Sequence, residues 1–257
     1  MKRRDWIFCF GGGLATVILW KHLPAVAQNN PQEGVTIQWL GHSAFLFTNS
    51  QARILVNPFS RIGCTAKYPP PNPSVDIVMI SSRLLDEGSV TDLPDNPKLM
   101  FEPGVYQVKG IEFQGIKTLH DREKGRRFGI NVAWRWRQGG LNLLHLGGIA
   151  SPIGIEEKIL MGSPDVVFIP VGGTAKTYNA KEAIEAIKIL TPKVVFPTQY
   201  LTAAADKNNC NLEPVDSFLA LAKQEGMAIG FIKGNRTTIR PKDLPQKGTL
   251  IRVFQAF

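Results

Sequence analysis

Val75-Asp76-Ile77-Val78-Met79-Ile80-Ser81-Ser82-Arg83-Leu84-Leu85-Asp86-Glu87-Gly88-Ser89-Val90 is the stretch on which the fold turns. Asp76 to Ile80 is a short apolar, β-branched run, the pattern of a strand inside a sheet that is covered on both faces. The polar segment after Ile80 therefore opens at a strand end.

Outward from this stretch the chain reads as strands first and helices later. Val35 to Leu40, Ala44 to Thr48 and Ile54 to Val56 are β-type runs, separated by turn residues at Gly41-His42-Ser43 and Asn49-Ser50. Arg61 to Ser74 carries Pro69, Pro70, Pro71 and Pro73, which cannot donate to a ladder, and reads as a long surface loop. Ile111 to Leu119, Ile130 to Arg137 and Leu141 to Leu146 resume the strand pattern, with Gly139-Gly140 suited to a two-residue hairpin turn. Trp134 and Trp136 then share one face of their strand, with Arg135 and Arg137 on the other. Asn179 with Glu182 three residues on is a capping-box signal for a helix that Thr191-Pro192 ends, with Ala183, Ile187 and Leu190 on one face. Pro214 opens a second helix, with Val215, Phe218, Leu219 and Ala222 as its apolar stripe and Gly226 as its stop. Val194 to Pro197 and Ala228 to Ile232 are strand candidates around that helix. This order fits a layered α/β protein with sheets face to face and helices outside.

Composition bounds the reading. At 44% hydrophobic and 20% charged over 257 residues, the chain is far from a disordered composition, and it is large enough to fold without disulfide or structural metal. Residues 1–27 read as a cleavable export signal. Lys2, Arg3 and Arg4 form its positive start, Trp6 to Trp20 is uncharged, and Ala25-Val26-Ala27 precedes a cleavage point before Gln28. Arg3-Arg4 with Trp6 and Ile7 resembles a twin-arginine signal. The folded domain is then 28–257, and the expected location is the periplasm or, in a photosynthetic organism, the thylakoid lumen; an uncleaved signal is the only membrane attachment foreseen. The signal takes Cys9 with it, leaving Cys64 and Cys210, which an oxidising compartment allows to pair but which no spacing brings together. It also takes four basic residues and one acid, so the net charge of +9 falls to about +6.

Several motifs, in order, resemble the single-domain metal-dependent hydrolase branch of the metallo-β-lactamase superfamily. They are Trp39-Leu40-Gly41-His42-Ser43-Ala44-Phe45, Asn57-Pro58-Phe59, and His120-Asp121 with Gly125, Gly129 and Asn131. Leu146-Gly147-Gly148, Asp165 to Gly173, and Pro192 to Tyr200 complete the set. The resemblance implies a four-layer αββα sandwich of the metallo-β-lactamase type. It also implies two divalent metals that acidify a bridging water for hydrolysis. Carried over by position, their ligands would be Ser82, Leu84, Asp86, Glu87, His120, Gly148 and Gln199. Only Asp86 and His120 are residues the family uses there. Leu84 has no donor, Gly148 has no side chain, and each metal retains one ligand where a catalytic zinc usually has three.

The expectation is therefore an exported protein of this fold that has lost dinuclear hydrolysis, needs no cofactor, and binds an unidentified small molecule or protein, with no nucleic-acid partner. The alternatives are an active lactone or phosphodiester hydrolase with a rearranged or single-metal site, using zinc or manganese, and a structural subunit of an assembly. Asp86, His120 and His42 are the candidate catalytic residues, and Asp86, Glu87 and His120 with His42 a residual metal site. The bland readings give Asp86 a turn hydrogen bond to its own backbone, His120 a hydrogen-bonded place in the cleft, and His145 a structural place on the opposite strand face. A serine hydrolase of Ser82 and His120 lacks the elbow motif of such enzymes. Arg122, Lys124, Arg126 and Arg127 form a candidate basic rim for an anionic ligand.

Overall fold

The computed structural model describes residues 33–91 and 93–257, so the readings placed on residues 1–27 and on the cleavage point lie outside the described residues. The first five strands are β1 Val35–Gly41, β2 Ala44–Thr48, β3 Arg53–Val56, β4 Ile77–Met79 and β5 Lys98–Met100. Four more follow: β6 Gly104–Val108, β7 Ile111–Leu119, β8 Ile130–Gln138 and β9 Leu141–His145. Helices and strands then alternate through α1 Ile155–Met161, β10 Val166–Pro170, α2 Ala180–Leu190, β11 Val194–Thr198 and α3 Asp216–Gln224. The chain closes with β12 Ala228–Lys233, β13 Arg236–Ile239 and β14 Leu250–Gln255.

These strands form two sheets, ordered β13-β1-β2-β3-β4-β5 and β12-β14-β11-β10-β9-β8-β7-β6. The strand of the opening stretch, β4, pairs in parallel with β3 and β5, and all three of its residues are buried. Alternation along β1 to β4 sorts the side chains between two cores. Ile37, Trp39, Phe45, Phe47, Ile54, Val56, Ile77 and Met79 face the second sheet, while Leu46, Leu55 and Val78 form a smaller cluster on the outer face. That outer cluster is extended by Leu99 of β5 and closed by Leu93 and Phe101, so loop segments cover the first sheet there. The three α-helices belong with the second sheet: α1 packs on β7, α3 on β12, and α2 on α1 and α3. Between the sheets the aromatic rings interlock, Phe45 lying 4.8 Å and Phe47 5.1 Å from Phe168.

The local signals act where the sequence puts them. Asn179 accepts from the Glu182 N–H and the Glu182 carboxylate accepts from the Asn179 N–H, both at 2.9 Å, and Thr191 ends α2 in a left-handed conformation. Gly139 and Gly140, at φ 56° and 82°, make the β8–β9 hairpin turn. Strands β5, β6, β13 and β14 and helix α1 have no counterpart in the sequence reading; β5 and β13 are short, and β6 has no fully buried residue.

Cys64 and Cys210, whose pairing the sequence left open, form a disulfide with Cα atoms 4.4 Å apart. It ties the proline-rich loop after β3 to the loop after β11, and an ion pair between Lys67 and Asp206 at 3.0 Å and a Tyr68–Thr202 hydroxyl contact join the same two loops. Tyr68 lies on Gly41, where any Cβ would come within 2.4 Å of the ring, so glycine is required at the β1–β2 turn both by this contact and by its φ of 105°.

Candidate functional site

Four strand ends converge on one buried carboxylate. Ser82 follows β4, His120 follows β7, Gly148 follows β9 and Gln199 follows β11. Glu87, with no exposed surface, returns from the loop after β4 to sit among them. It accepts hydrogen bonds from Ser82 Oγ at 2.8 Å and Gln199 Nε2 at 3.0 Å. His120 Nε2 lies 2.9 Å from Oε1, the oxygen that Ser82 also contacts, without hydrogen-bond alignment. Burial opposes charge on Glu87, but His120, Lys176 and the Ser82 hydroxyl together hold its carboxyl well below the usual carboxylate range.

The frame behind these groups is rigid. Asn57, itself at positive φ, donates to Ser81 Oγ and accepts from the Ser81 N–H, each at 2.8 Å, fixing where the loop leaves β4. Asn131 donates to Thr118 Oγ1 and to the Leu146 carbonyl, joining β7, β8 and the end of β9. Asp121 accepts from the N–H groups of Glu123, Gly125, Arg127 and Phe128, which folds the loop before β8 around it. Burial raises the Asp121 pKa, yet these four N–H bonds prevail and lower it below the ordinary value.

The seven expected ligand positions do not all share one place. Ser82, Glu87, His120, Gly148 and Gln199 come together. Leu84 lines an adjoining pocket, and Asp86 is paired with Lys176 at 2.5 Å. The Asp86 reading as a backbone-bonded turn residue is thus corrected: its partner is a lysine 90 positions away. That lysine sits in the loop after β10 and was missed, because nothing local marks it; an acid left without its metal was the one available hint. Gly148 has a tighter constraint than the loss of a ligand. A Cβ there would lie 2.5 Å from Glu87 Oε2 and 2.5 Å from His120 Nε2, so the Glu87–His120 pair fills the space a side chain at 148 would need.

His42, buried at the β1–β2 turn, faces the same site. Burial pushes its pKa down to about 4, partly offset by Asp86 and Glu87 and reinforced by Lys176. Its carbonyl accepts from the Gln199 N–H at 3.3 Å. His145 is structural, as expected: it stacks on Phe168, contacts the Ser43 carbonyl through Nε2 at 3.2 Å, and accepts from the Gly147 N–H. Burial lowers its pKa to about 4. The basic rim is reduced by one member. Arg122 is held by Glu182 and by the carbonyls of Thr174 and Thr177, because its fork reaches across to the start of α2. Lys124, Arg126 and Arg127 remain exposed.

The two divalent metals implied by the resemblance do not fit these residues. Asp86 is committed to Lys176 and Glu87 to three neighbours, while Leu84 and Gly148 offer no donor. Among the described residues no three His, Cys, Asp or Glu side chains form a metal-holding group.

A family profile described as a beta-lactamase superfamily domain matches residues 36–199. The chain belongs to the metallo-β-lactamase superfamily. A UPF0173 metal-dependent hydrolase of Methanosarcina barkeri is 24% identical over 198 residues, covering 66% of this chain and 84% of the relative. One of Methanoregula boonei is 27% identical over 207 residues, covering 67% and 86%. Among solved structures, a Thermotoga maritima protein of the metallo-β-lactamase superfamily superposes with a TM-score of 0.67 at 26% identity, over 86% of this chain and 99% of that one. The α/β sandwich of the metallo-β-lactamase type is therefore the fold of this superfamily member.

Proposed function

We propose that this member of the metal-dependent hydrolase-like family has exchanged dinuclear hydrolysis for ligand binding, and that it works outside the cytoplasm after export through the twin-arginine-like signal. One observation carries the loss of chemistry: the Glu87 carboxylate, held by Ser82, His120 and Gln199, occupies the centre toward which metal ligands would point. Asp86 and Lys176 neutralise one another beside it. A charge-compensated set of side chains thus replaces the cations, and the fold needs no cofactor to satisfy it. The partner is a small molecule or protein, and the remaining exposed cations Lys124, Arg126 and Arg127 favour an anionic one.

Metal analysis of the purified protein tests this reading. Zinc and manganese well below one per chain are expected, with an unchanged Tm after chelation, since a bound structural ion would add stability in proportion to its affinity. Stoichiometric metal together with hydrolysis of a lactone or phosphodiester would overturn it. Replacing Arg3 and Arg4 by lysine is expected to stop export, and unchanged export would transfer the protein to the general secretory route.

A second reading, a single-metal hydrolase, draws on one specific observation. His42 Nε2, His120 Nδ1 and Gln199 Oε1 are buried with no hydrogen-bond partner among the described residues. Under that reading His42, Glu87 and His120 would rearrange around one zinc or manganese ion. The same metal analysis separates the two.

A further inference from the structure

We propose that the pocket beside Glu87 takes one small amphipathic carboxylate, its apolar tail inside and its charged head at the rim; this rests on the ligand-binding reading above. The pocket holds about 410 Å³, within the range of small-molecule sites. Its walls are Leu84, Phe101, Pro103, Phe128, Ile130 and Val132, with Ser82 among the residues that line it. Leu84 thus stands where the family would place a ligand to metal and serves here as apolar wall. Ile130 is 42% exposed beside it, an apolar side chain left for a tail to cover.

Two arginines from separate loops flank these walls. The Arg83 guanidinium lies 4.7 Å over the Phe101 ring, and that of Arg127 lies 4.9 Å over the Phe128 ring. Neither forms an ion pair among the described residues. A guanidinium stacked on a ring is held in place while its edge stays available to a carboxylate. The inner end is the wrong place for the head: the Ser82 hydroxyl already donates to Glu87, whose buried negative charge repels a second anion. Glu102 also lines the pocket and repels an anion, which the two guanidiniums offset for a single carboxylate head but not for a second charge.

Calorimetric titration with decanoate, and with neutral decanamide as its control, tests the assignment. Saturable binding of one decanoate per chain is expected, weakened by added salt while decanamide is not. The double variant Arg83→Gln/Arg127→Gln should lose roughly 5- to 10-fold in decanoate affinity, as two partly exposed charge contacts allow, and leave decanamide unchanged. Ile130→Glu should weaken decanoate binding further, by placing charge against the tail. Absence of saturable decanoate binding, or equal response of acid and amide to the arginine variants, would overturn the proposal. Metal analysis of the same preparation keeps the two readings apart. Stoichiometric metal with decanoate binding intact would sink the noncatalytic reading alone, and metal-free protein that ignores decanoate would sink only the pocket assignment.

Discussion

Replacing Glu87 by alanine removes the one group on which Ser82, His120 and Gln199 converge. The side chain is wholly buried, so water does not already share its role. The variant leaves Ser82 Oγ and Gln199 Nε2 without the acceptors they hold at 2.8 and 3.0 Å, and leaves His120 Nε2 without the carboxylate 2.9 Å away. Hydrogen bonds to a charged acceptor are worth about 1.5–3 kcal/mol, and removing one partner of a buried pair costs about 3–5 kcal/mol. Glu87→Gln keeps the shape. Its carbonyl can accept from Ser82, and Gln199, whose Oε1 has no partner, can turn its amide to receive the new N–H. That variant should cost only about 1–2 kcal/mol. At about 2–4 °C per kcal/mol for a chain of this size, the alanine variant should melt roughly 6–20 °C lower and the glutamine variant roughly 2–8 °C lower. Urea unfolding at neutral pH measures both. A cost below about 1 kcal/mol for alanine, or equal costs for the two variants, would refute the view that this carboxylate holds the site together.

Acid should weaken the fold in a defined window. His42 and His145 take up protons near their ordinary 6.5 when unfolded and only near 4 when folded, so unfolding binds protons between those values and stability falls as pH is lowered from 6.5 to 4. Each contributes about 3 kcal/mol by pH 4, and His145→Gln should flatten the profile measured by urea unfolding across that range. Gly148→Asp alone should destabilise the protein, since even its Cβ meets Glu87 and His120 at 2.5 Å; an unchanged Tm would show that the site is looser than described. With Ser82→His, Leu84→His, Glu87→His and Gln199→His added, the Glu87 part of the obstruction is gone and His120 has only to turn aside, so about two zinc or manganese ions per chain are expected by metal analysis. Cys64→Ser with Cys210→Ser should lower stability by about 2–4 kcal/mol, under the ~5 kcal/mol that closing a loop over a separation of 146 residues gives in the chain-entropy account, as read from denaturant midpoints with and without reductant.

The fold was legible because its signals are local. Apolar runs of five to nine residues, the Gly139-Gly140 turn and the Asn179–Glu182 capping box each act within a few positions, and β2, β7, α2 and the hairpin turn lie where those signals put them. The motif order added the architecture. Strands such as β13, Arg-Thr-Thr-Ile with one apolar residue in four, show no apolar alternation in the sequence and are held in place by pairing with β1.

The sequence by itself also determined which donors are missing, since a leucine at 84 and a glycine at 148 cannot bind metal in any conformation. What stands in their place was decided only by tertiary structure. Glu87 read as a histidine position filled by the wrong residue, and became the centre of the site once four strand ends, spread from Ser82 to Gln199, closed around it. Lys176 became the partner of Asp86, Arg122 was drawn from the rim to Glu182, and Cys64 met Cys210. Each of these depends on groups 60 to 146 residues apart. Periodicity and turn chemistry record what a residue does within its own segment; a charge that is buried among other segments takes its partner from wherever packing of the two sheets delivers one.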